Sequence, residues 1–121
     1  MAVTKVLIVD DSKTETMFLT EILQKGGYAV SSAEGAEQAM HLIAKERPEL
    51  ILMDVVMPGK NGFQLTRDIA RSPEYGDIPI IICTSKRLET DKVWGLRQGA
   101  RDYITKPVNS AELLSKIRAI S

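Results

Sequence analysis

The chain has 121 residues, 44% of them hydrophobic and 26% charged, which is enough for one domain with its own core and too few for two. Lys+Arg and Asp+Glu both number 16, so the formal net charge is zero, and no global field draws the protein to nucleic acid or to an anionic membrane. The single cysteine, Cys83, excludes an internal disulfide, and no Cys/His cluster has zinc spacing. The first apolar run, Val6–Val9, is too short for a signal peptide or a membrane span. The expectation is a cytoplasmic protein in which residues 1–121 form a single domain without linker or repeat.

Lys5–Val9 (KVLIV) is a continuous, β-branched run, the mark of a strand buried on both faces. It stops at Asp10-Asp11-Ser12, where Ser12 with Glu15 three residues on fits a capping box. The helix that follows carries Met17, Phe18 and Ile22, with Leu19 and Leu23, at helical spacing and ends at Gly26-Gly27. Tyr28–Ser32 reads as a short strand. Gly35–Arg47 is amphipathic through Ala36, Ala39, Met40 and Ile43, and Pro48 closes it. Leu50–Met53 (LILM) is a second continuous apolar strand, ending on Asp54.

A loop with Pro58, Gly59, Asn61 and Gly62 leads to a helix over Phe63–Arg71. Ile78–Cys83 is the most apolar strand and ends on Thr84-Ser85. A helix from Leu88 to Gln98 stops at Gly99, with Val93, Leu96 and Ala100 as its core face. Arg101–Thr105 is a short strand, Lys106-Pro107 a turn, and Ser110–Ile120 a last helix with Leu113, Leu114 and Ile117 inward. Five βα units with short crossovers demand parallel strands and right-handed connections. The fold class is therefore α/β: a flavodoxin-like, doubly wound five-stranded parallel sheet, order 2-1-3-4-5, with five helices on both faces.

In such sheets ligands bind at the carboxyl ends of the strands, near the switch in strand order. The first strand ends there on Asp10 and Asp11, the third on Asp54, the fourth on Thr84 and the fifth on Lys106. The first and third strands are expected to be neighbours, so three carboxylates crowd together, and they cannot all stay ionised without compensation. Mg²⁺ fits that need, because it favours oxygen ligands and leaves positions for a phosphoryl oxygen. Lys106 and Thr84 facing the same spot complete a phosphoryl-transfer set with Asp54 as nucleophile.

Val9-Asp10-Asp11-Ser12, Met53–Pro58 with Gly62, Thr84-Ser85 and Tyr103–Pro107 together resemble the receiver domain of two-component response regulators, the CheY-like receivers. The resemblance covers essentially the whole chain, and its specificity lies in the order of the motifs at strand ends. It implies Asp54 as phosphoacceptor, Asp10 and Asp11 as the acidic metal pair and the backbone carbonyl of Val56 as a further Mg²⁺ ligand beside Asp54. It implies that Thr84 and Lys106 contact the phosphoryl group and that the Lys106–Pro107 peptide is cis. In the family Thr84 moves toward the phosphoryl group and the aromatic at Tyr103 turns inward. That remodels the surface of the fourth helix, fifth strand and fifth helix.

The segment Glu89–Asp102 (ETDKVWGLRQGARD), with Asp11-Ser12 and Thr14-Glu15, is similar to stand-alone receivers of chemotaxis-like systems that control type IV pili and twitching movement. The implied partners are a chemotaxis-type histidine kinase and a downstream protein on the fourth helix–fifth strand–fifth helix face, with no nucleic acid and no membrane insertion. With no room for an output domain, signalling is expected to run through protein–protein binding, in control of pilus motility or as a phosphate sink for a sister regulator. The protein is then no turnover enzyme: it catalyses only its own phosphoryl transfer and slow autodephosphorylation. One departure matters. The position two after Asp54 is the apolar Val56, and two after Thr84 is Lys86. These side chains flank the path of the hydrolytic water, which Val56 cannot orient.

Single aspartates at strand ends commonly form turns or cap helices; only the set carries chemistry. His41 reads as a solvated helix histidine and Cys83 as a small core residue. Trp94 is either a partly covered structural residue or an exposed partner anchor. Lys92, Arg97 and Arg101 are either a solvated face or a docking patch for an acidic surface. Two rival functions are a small phosphohydrolase, whose only candidate second acids are Asp10 and Asp11 and which has no insertion to form a cap, and a flavodoxin-like cofactor carrier, whose loop Asp10-Asp11-Ser12-Lys13 would repel a phosphate unless a cation intervened. A pseudo-receiver scaffold fits poorly with an intact set of five.

Overall fold

The computed structural model describes residues 3–120. Its elements alternate as β1 Lys5–Val9, α1 Lys13–Lys25, β2 Ala29–Ala33, α2 Ala36–Glu46, β3 Leu50–Met53, α3 Gly62–Ala70, β4 Ile80–Thr84, α4 Glu89–Arg97, β5 Asp102–Thr105 and α5 Ser110–Ile120. The five strands form one parallel sheet in the order β2-β1-β3-β4-β5. The doubly wound architecture read from the spacing of apolar runs is the architecture found.

Each central strand serves two cores, because successive side chains point to opposite faces. Val6, Ile8, Leu52, Ile81, Cys83 and Ile104 pack on one face with Leu19 and Leu23 of α1 and Leu113 and Ile117 of α5. Leu7, Val9, Ile51, Met53 and Ile80 pack on the other with Ala39 and Ile43 of α2 and Leu65 and Ile69 of α3. A smaller cluster of Val55, Ile82, Ala100 and Tyr103 lies under α4. Burying each Leu or Ile contributes ~1.5–3 kcal/mol, so β1, β3 and β4 form a rigid platform, and their carboxyl ends inherit that rigidity.

Two helices differ from the sequence expectation in the face they bury. In α1 the inward stripe is Leu19, Ile22 and Leu23. Met17 is 72% exposed and sits off the i, i+3, i+4 row; Phe18, four residues before Ile22, lies at the margin of that stripe and is 44% exposed. In α4, Val93, Trp94 and Leu96 are all about half exposed, and Gly95 is the residue that faces inward. A Cβ on Gly95 would stand 2.7 Å from Cδ1 of Ile82 and 3.2 Å from the Tyr103 ring. The helix thus rests its smallest residue on a tyrosine, which leaves its larger apolar side chains outside. Ala100, just beyond α4, is buried.

Other differences are local. The Ser12 hydroxyl accepts from the Glu15 amide, but the Ser12 amide donates to Asp10 Oδ1 at 2.9 Å, so the reciprocal half of the expected capping box belongs to Asp10 and not to Glu15. The fourth strand begins at Ile80 rather than Ile78, because the Ile78 amide closes a turn onto the Tyr75 carbonyl and Pro79 has no amide to donate. The second strand begins at Ala29, since the Tyr28 amide is engaged by the Leu23 carbonyl at the end of α1. Among the described residues no helix is long and apolar enough to cross a membrane.

Candidate functional site

The sheet ladder continues one step past the strands and holds the site residues by their backbones. The Asp10 amide donates to the Ala33 carbonyl at 3.0 Å, Asp54 to Val9 at 2.9 Å and Lys106 to Thr84 at 2.8 Å. These bonds tie the carboxyl ends of β2, β1 and β3 into one group and those of β4 and β5 into another. Asp10 and Asp54 are buried, 2% and 6% exposed, while Asp11 is exposed. One carboxylate oxygen from each of the three lies within 4.8 Å of the others.

Lys106 reaches into this cluster. Its Nζ donates to Asp10 Oδ2 at 2.8 Å and stands 3.8 Å from Asp54 Oδ1. The peptide bond between Lys106 and Pro107 is cis. Burial raises the Asp54 carboxyl above the ordinary carboxylate value; the Lys106 charge pulls it back, and the Asp10 charge adds to the rise. For Lys106, burial works against the ammonium, but the hydrogen bond it donates to Asp10 and the charge of Asp54 outweigh it, and its pKa is raised. The lysine is therefore a fixed cation shared between two buried carboxylates.

Thr84 is fully buried, and its Oγ1 makes no hydrogen bond of good geometry, although it is near enough to Asp54 to help lower that carboxyl's pKa. An orphaned buried hydroxyl costs roughly 1–3 kcal/mol, so one beside the carboxylate cluster calls for an explanation. The donor set also fits a cation: three carboxylates against one ammonium leave excess negative charge, and all of their donors are hard oxygens of the kind Mg²⁺ takes. Asp10, Asp11 and Asp54 are the side chains able to hold it. Val56 follows directly in the loop after Asp54 with its side chain 55% exposed.

That loop is shaped by Gly62. Its amide donates to the Val55 carbonyl, and a Cβ there would fall 2.0 Å from the Asp54 carbonyl oxygen. Asn61 caps α3 by accepting from the Gln64 amide, which fixes where the loop ends. Asp54 Oδ1 itself accepts from the Val55 amide at 2.9 Å.

Tyr103 lies apart from the carboxylates, one layer out under α4. Its ring is 8% exposed and its hydroxyl donates to the Lys86 carbonyl at 2.6 Å. Burial pushes its pKa up to about 12, with Asp91 and Asp54 adding to the rise. The ring thus stands inward and pins the β4–α4 loop that carries Lys86. Cys83 is buried in the core, its thiol pushed up to about 12 by burial, which makes it unreactive. His41 is exposed on α2.

Some features of the site had only faint signals in the sequence. Gly95 beneath Tyr103 is marked only by a glycine inside a helix, and Glu15, with Oε1 buried and unpartnered, was masked by its fit to a capping motif. The Lys106–Asp10 pair spans 96 positions in the chain, a contact that no local pattern announces.

Comparison with known proteins agrees with this geometry. The family described as response regulator receiver domain matches residues 6–118. Protein PilH of Pseudomonas aeruginosa is 53% identical over 116 residues, 96% of each chain. Among solved structures, the Vibrio cholerae chemotaxis protein CheY4 is 31% identical with a TM-score of 0.91, covering 99% of this chain and 100% of that one. The BeF3-activated N-terminal receiver domain of Klebsiella pneumoniae RstA is also 31% identical, with a TM-score of 0.87 over 96% and 97%.

Proposed function

Because the chain belongs to the response regulator receiver family, we propose that it is a phosphorylation switch in which Asp54 accepts a phosphoryl group from the phosphohistidine of a histidine kinase. The observation that carries this reading is the placement of Asp54: a buried carboxylate that shares the Lys106 ammonium with a second acid, Asp10, and has the buried Thr84 hydroxyl on the adjoining strand end. An Asp54 oxygen attacks phosphorus in line with the histidine nitrogen. The new O–P bond forms as the P–N bond breaks, and the electron pair of that bond returns to the imidazole. Lys106 neutralises charge on the equatorial oxygens, and the Thr84 hydroxyl, which makes no hydrogen bond of good geometry beforehand, donates to one of them.

Asp10, Asp11 and Asp54, with the Val56 carbonyl, would hold Mg²⁺. When bound, the ion supplies charge neutralisation for three carboxylates and an incoming phosphoryl group. The acyl phosphate then shifts a two-state equilibrium toward a form with altered partner affinity. Tyr103 and the α4–β5–α5 face carry the output. Leu88, Val93, Trp94 and Leu96 are exposed along α4, and Lys116 of α5 bonds Asp102 of β5 at 3.0 Å. Control of type IV pilus motility, under a chemotaxis-type kinase in the cytoplasm, is the output we assign, supported by the likeness to PilH.

Incubation with Mg²⁺ and phosphoramidate, read by intact mass, tests the switch. Wild type is expected to gain one phosphoryl adduct and Asp54→Asn none; an unmodified wild type contradicts the reading.

Val56 also implies a long-lived adduct, since a valine side chain offers no polar atom to orient the hydrolytic water. Val56→Asn is expected to lose its phosphoryl group severalfold faster than wild type when followed by mass after donor removal. An unchanged rate would remove Val56 from the account.

A further inference from the structure

Glu15 sits in the first turn of α1, where its sequence context assigns it to a capping box. The structure gives that duty to Asp10, whose Oδ1 takes the Ser12 amide. Glu15 is left with Oε1 buried and without a hydrogen-bond partner. A carboxylate oxygen so placed forfeits solvation, and native proteins rarely leave one idle. The Glu15 amide is tied to the Ser12 hydroxyl, the Ser12 amide to Asp10 Oδ1, and the other Asp10 oxygen holds Lys106, so Glu15 adjoins the cation cluster from the α1 side, and its charge acts on Lys106.

The charges of three acids act on Lys106: Asp10, Asp54 and Glu15. The ammonium has three N–H donors, yet only Asp10 lies at hydrogen-bond distance, 2.8 Å, against 3.8 Å for Asp54. A divalent cation and Lys106 therefore compete for the Asp10 carboxylate, whose Oδ2 holds the ammonium and whose Oδ1 holds the Ser12 amide. For the cation to bind fully, the ammonium must give up its one good partner, and that costs free energy unless another acceptor is at hand. Glu15 is the acid near Lys106 that the proposed metal set does not use, and it has lone pairs to spare.

We propose that Glu15 is a positioning residue for Lys106, receiving the ammonium when a divalent cation draws Asp10 away and so making cation binding easier. This rests on the metal reading given above. Energetically it is a coupling carried through Lys106: Glu15 lowers the cost of displacing the lysine, and by reciprocity the cation strengthens the Glu15–Lys106 contact.

The test is the affinity for Mg²⁺ alone, measured by titration calorimetry without any phosphodonor. Glu15→Gln is expected to weaken binding about fivefold, the low end of such couplings. Glu15→Asp, which keeps the charge but shortens the reach, is expected to weaken it similarly. In a Lys106→Met background, Glu15→Gln is expected to change nothing further. Equal losses in both backgrounds, or an undisturbed Glu15→Asp, would mean that Glu15 acts only through its general field and would overturn the inference. No effect of Glu15→Gln in the wild-type background would overturn it as well. A wild type that binds no Mg²⁺ would overturn the metal reading itself and this inference with it.

Discussion

Gly62→Ala is expected to lose about 3 kcal/mol of stability, the upper end of the usual cost of overpacking, and to melt lower by roughly 10 °C. The new Cβ would stand 2.0 Å from the Asp54 carbonyl oxygen and 2.8 Å from both Asp54 C and Val55 Cα. All three are backbone atoms, so no side-chain rotation relieves the clash. The loop from Asp54 to Asn61 must move, and it carries the Asp54 carboxylate and the Val56 carbonyl with it. Phosphoryl uptake is therefore expected to slow in the fraction that remains folded. Gly35→Ala provides the control, because nothing lies within 4 Å of a Cβ there and its extended backbone suits any residue. Thermal melts of the two variants check the contrast. Equal melting temperatures would show that the loop is free to adapt and is not held by Gly62.

The second large effect concerns Asp54 and pH. Burial raises its folded-state pKa above the ordinary carboxylate value, with Asp10 adding to the rise and Lys106 opposing it. A carboxyl raised in this way favours folding in its protonated form. Its contribution is fully present below the unfolded pKa, near 3.8, and is lost as pH rises through the raised folded pKa. At neutral pH the ionised side chain is thus a net cost to the metal-free fold. Asp54→Asn, which has the same shape without the charge, is expected to stabilise the metal-free protein at pH 7 by about 1 kcal/mol, the scale typical of relieving a strained functional site. The gain should shrink as pH falls toward the unfolded value, and it should shrink at pH 7 when Mg²⁺ is added. Melting curves of both proteins in chelator and in Mg²⁺, at several pH values, check both trends. A variant less stable than wild type at pH 7 in chelator would show that Lys106 more than compensates the burial of Asp54.

These two residues also show what a sequence discloses and what it hides. The fold was legible because Lys5–Val9, Leu50–Met53 and the fourth strand are unbroken apolar runs, and only strands covered on both faces read that way. The place of the site followed from it, since the strand ends are where Asp10, Asp11, Asp54, Thr84 and Lys106 fall. Helix α4 was misread because its inward residue is Gly95, which carries no hydrophobic signal. Val93 and Leu96 have that signal but stand half exposed. Met17 and Phe18 misled for the same reason. Periodicity tells which residues are apolar, whereas the depth at which a helix rests on the sheet is set by tertiary contacts such as the Gly95–Tyr103 approach.

Pairings across the chain were hidden more completely. Ser12 and Glu15 fit a local capping motif, and only the folded arrangement shows Asp10 taking the Ser12 amide and leaving Glu15 Oε1 without a partner. The bond of Tyr103 to the Lys86 carbonyl likewise depends on how the β4–α4 loop closes over the ring. Such choices between competing acceptors are decided by small differences in position and leave no pattern in composition or spacing.

The central claim is that the phosphoryl group resides on Asp54 and on no other acid of the cluster. Borohydride reduction of the phosphorylated protein converts an aspartyl phosphate to homoserine, and peptide mass mapping then locates it. The account predicts homoserine at position 54 alone, dependent on Mg²⁺ during phosphorylation. Homoserine at position 10 or 11, or a stable adduct elsewhere that resists reduction, would contradict it.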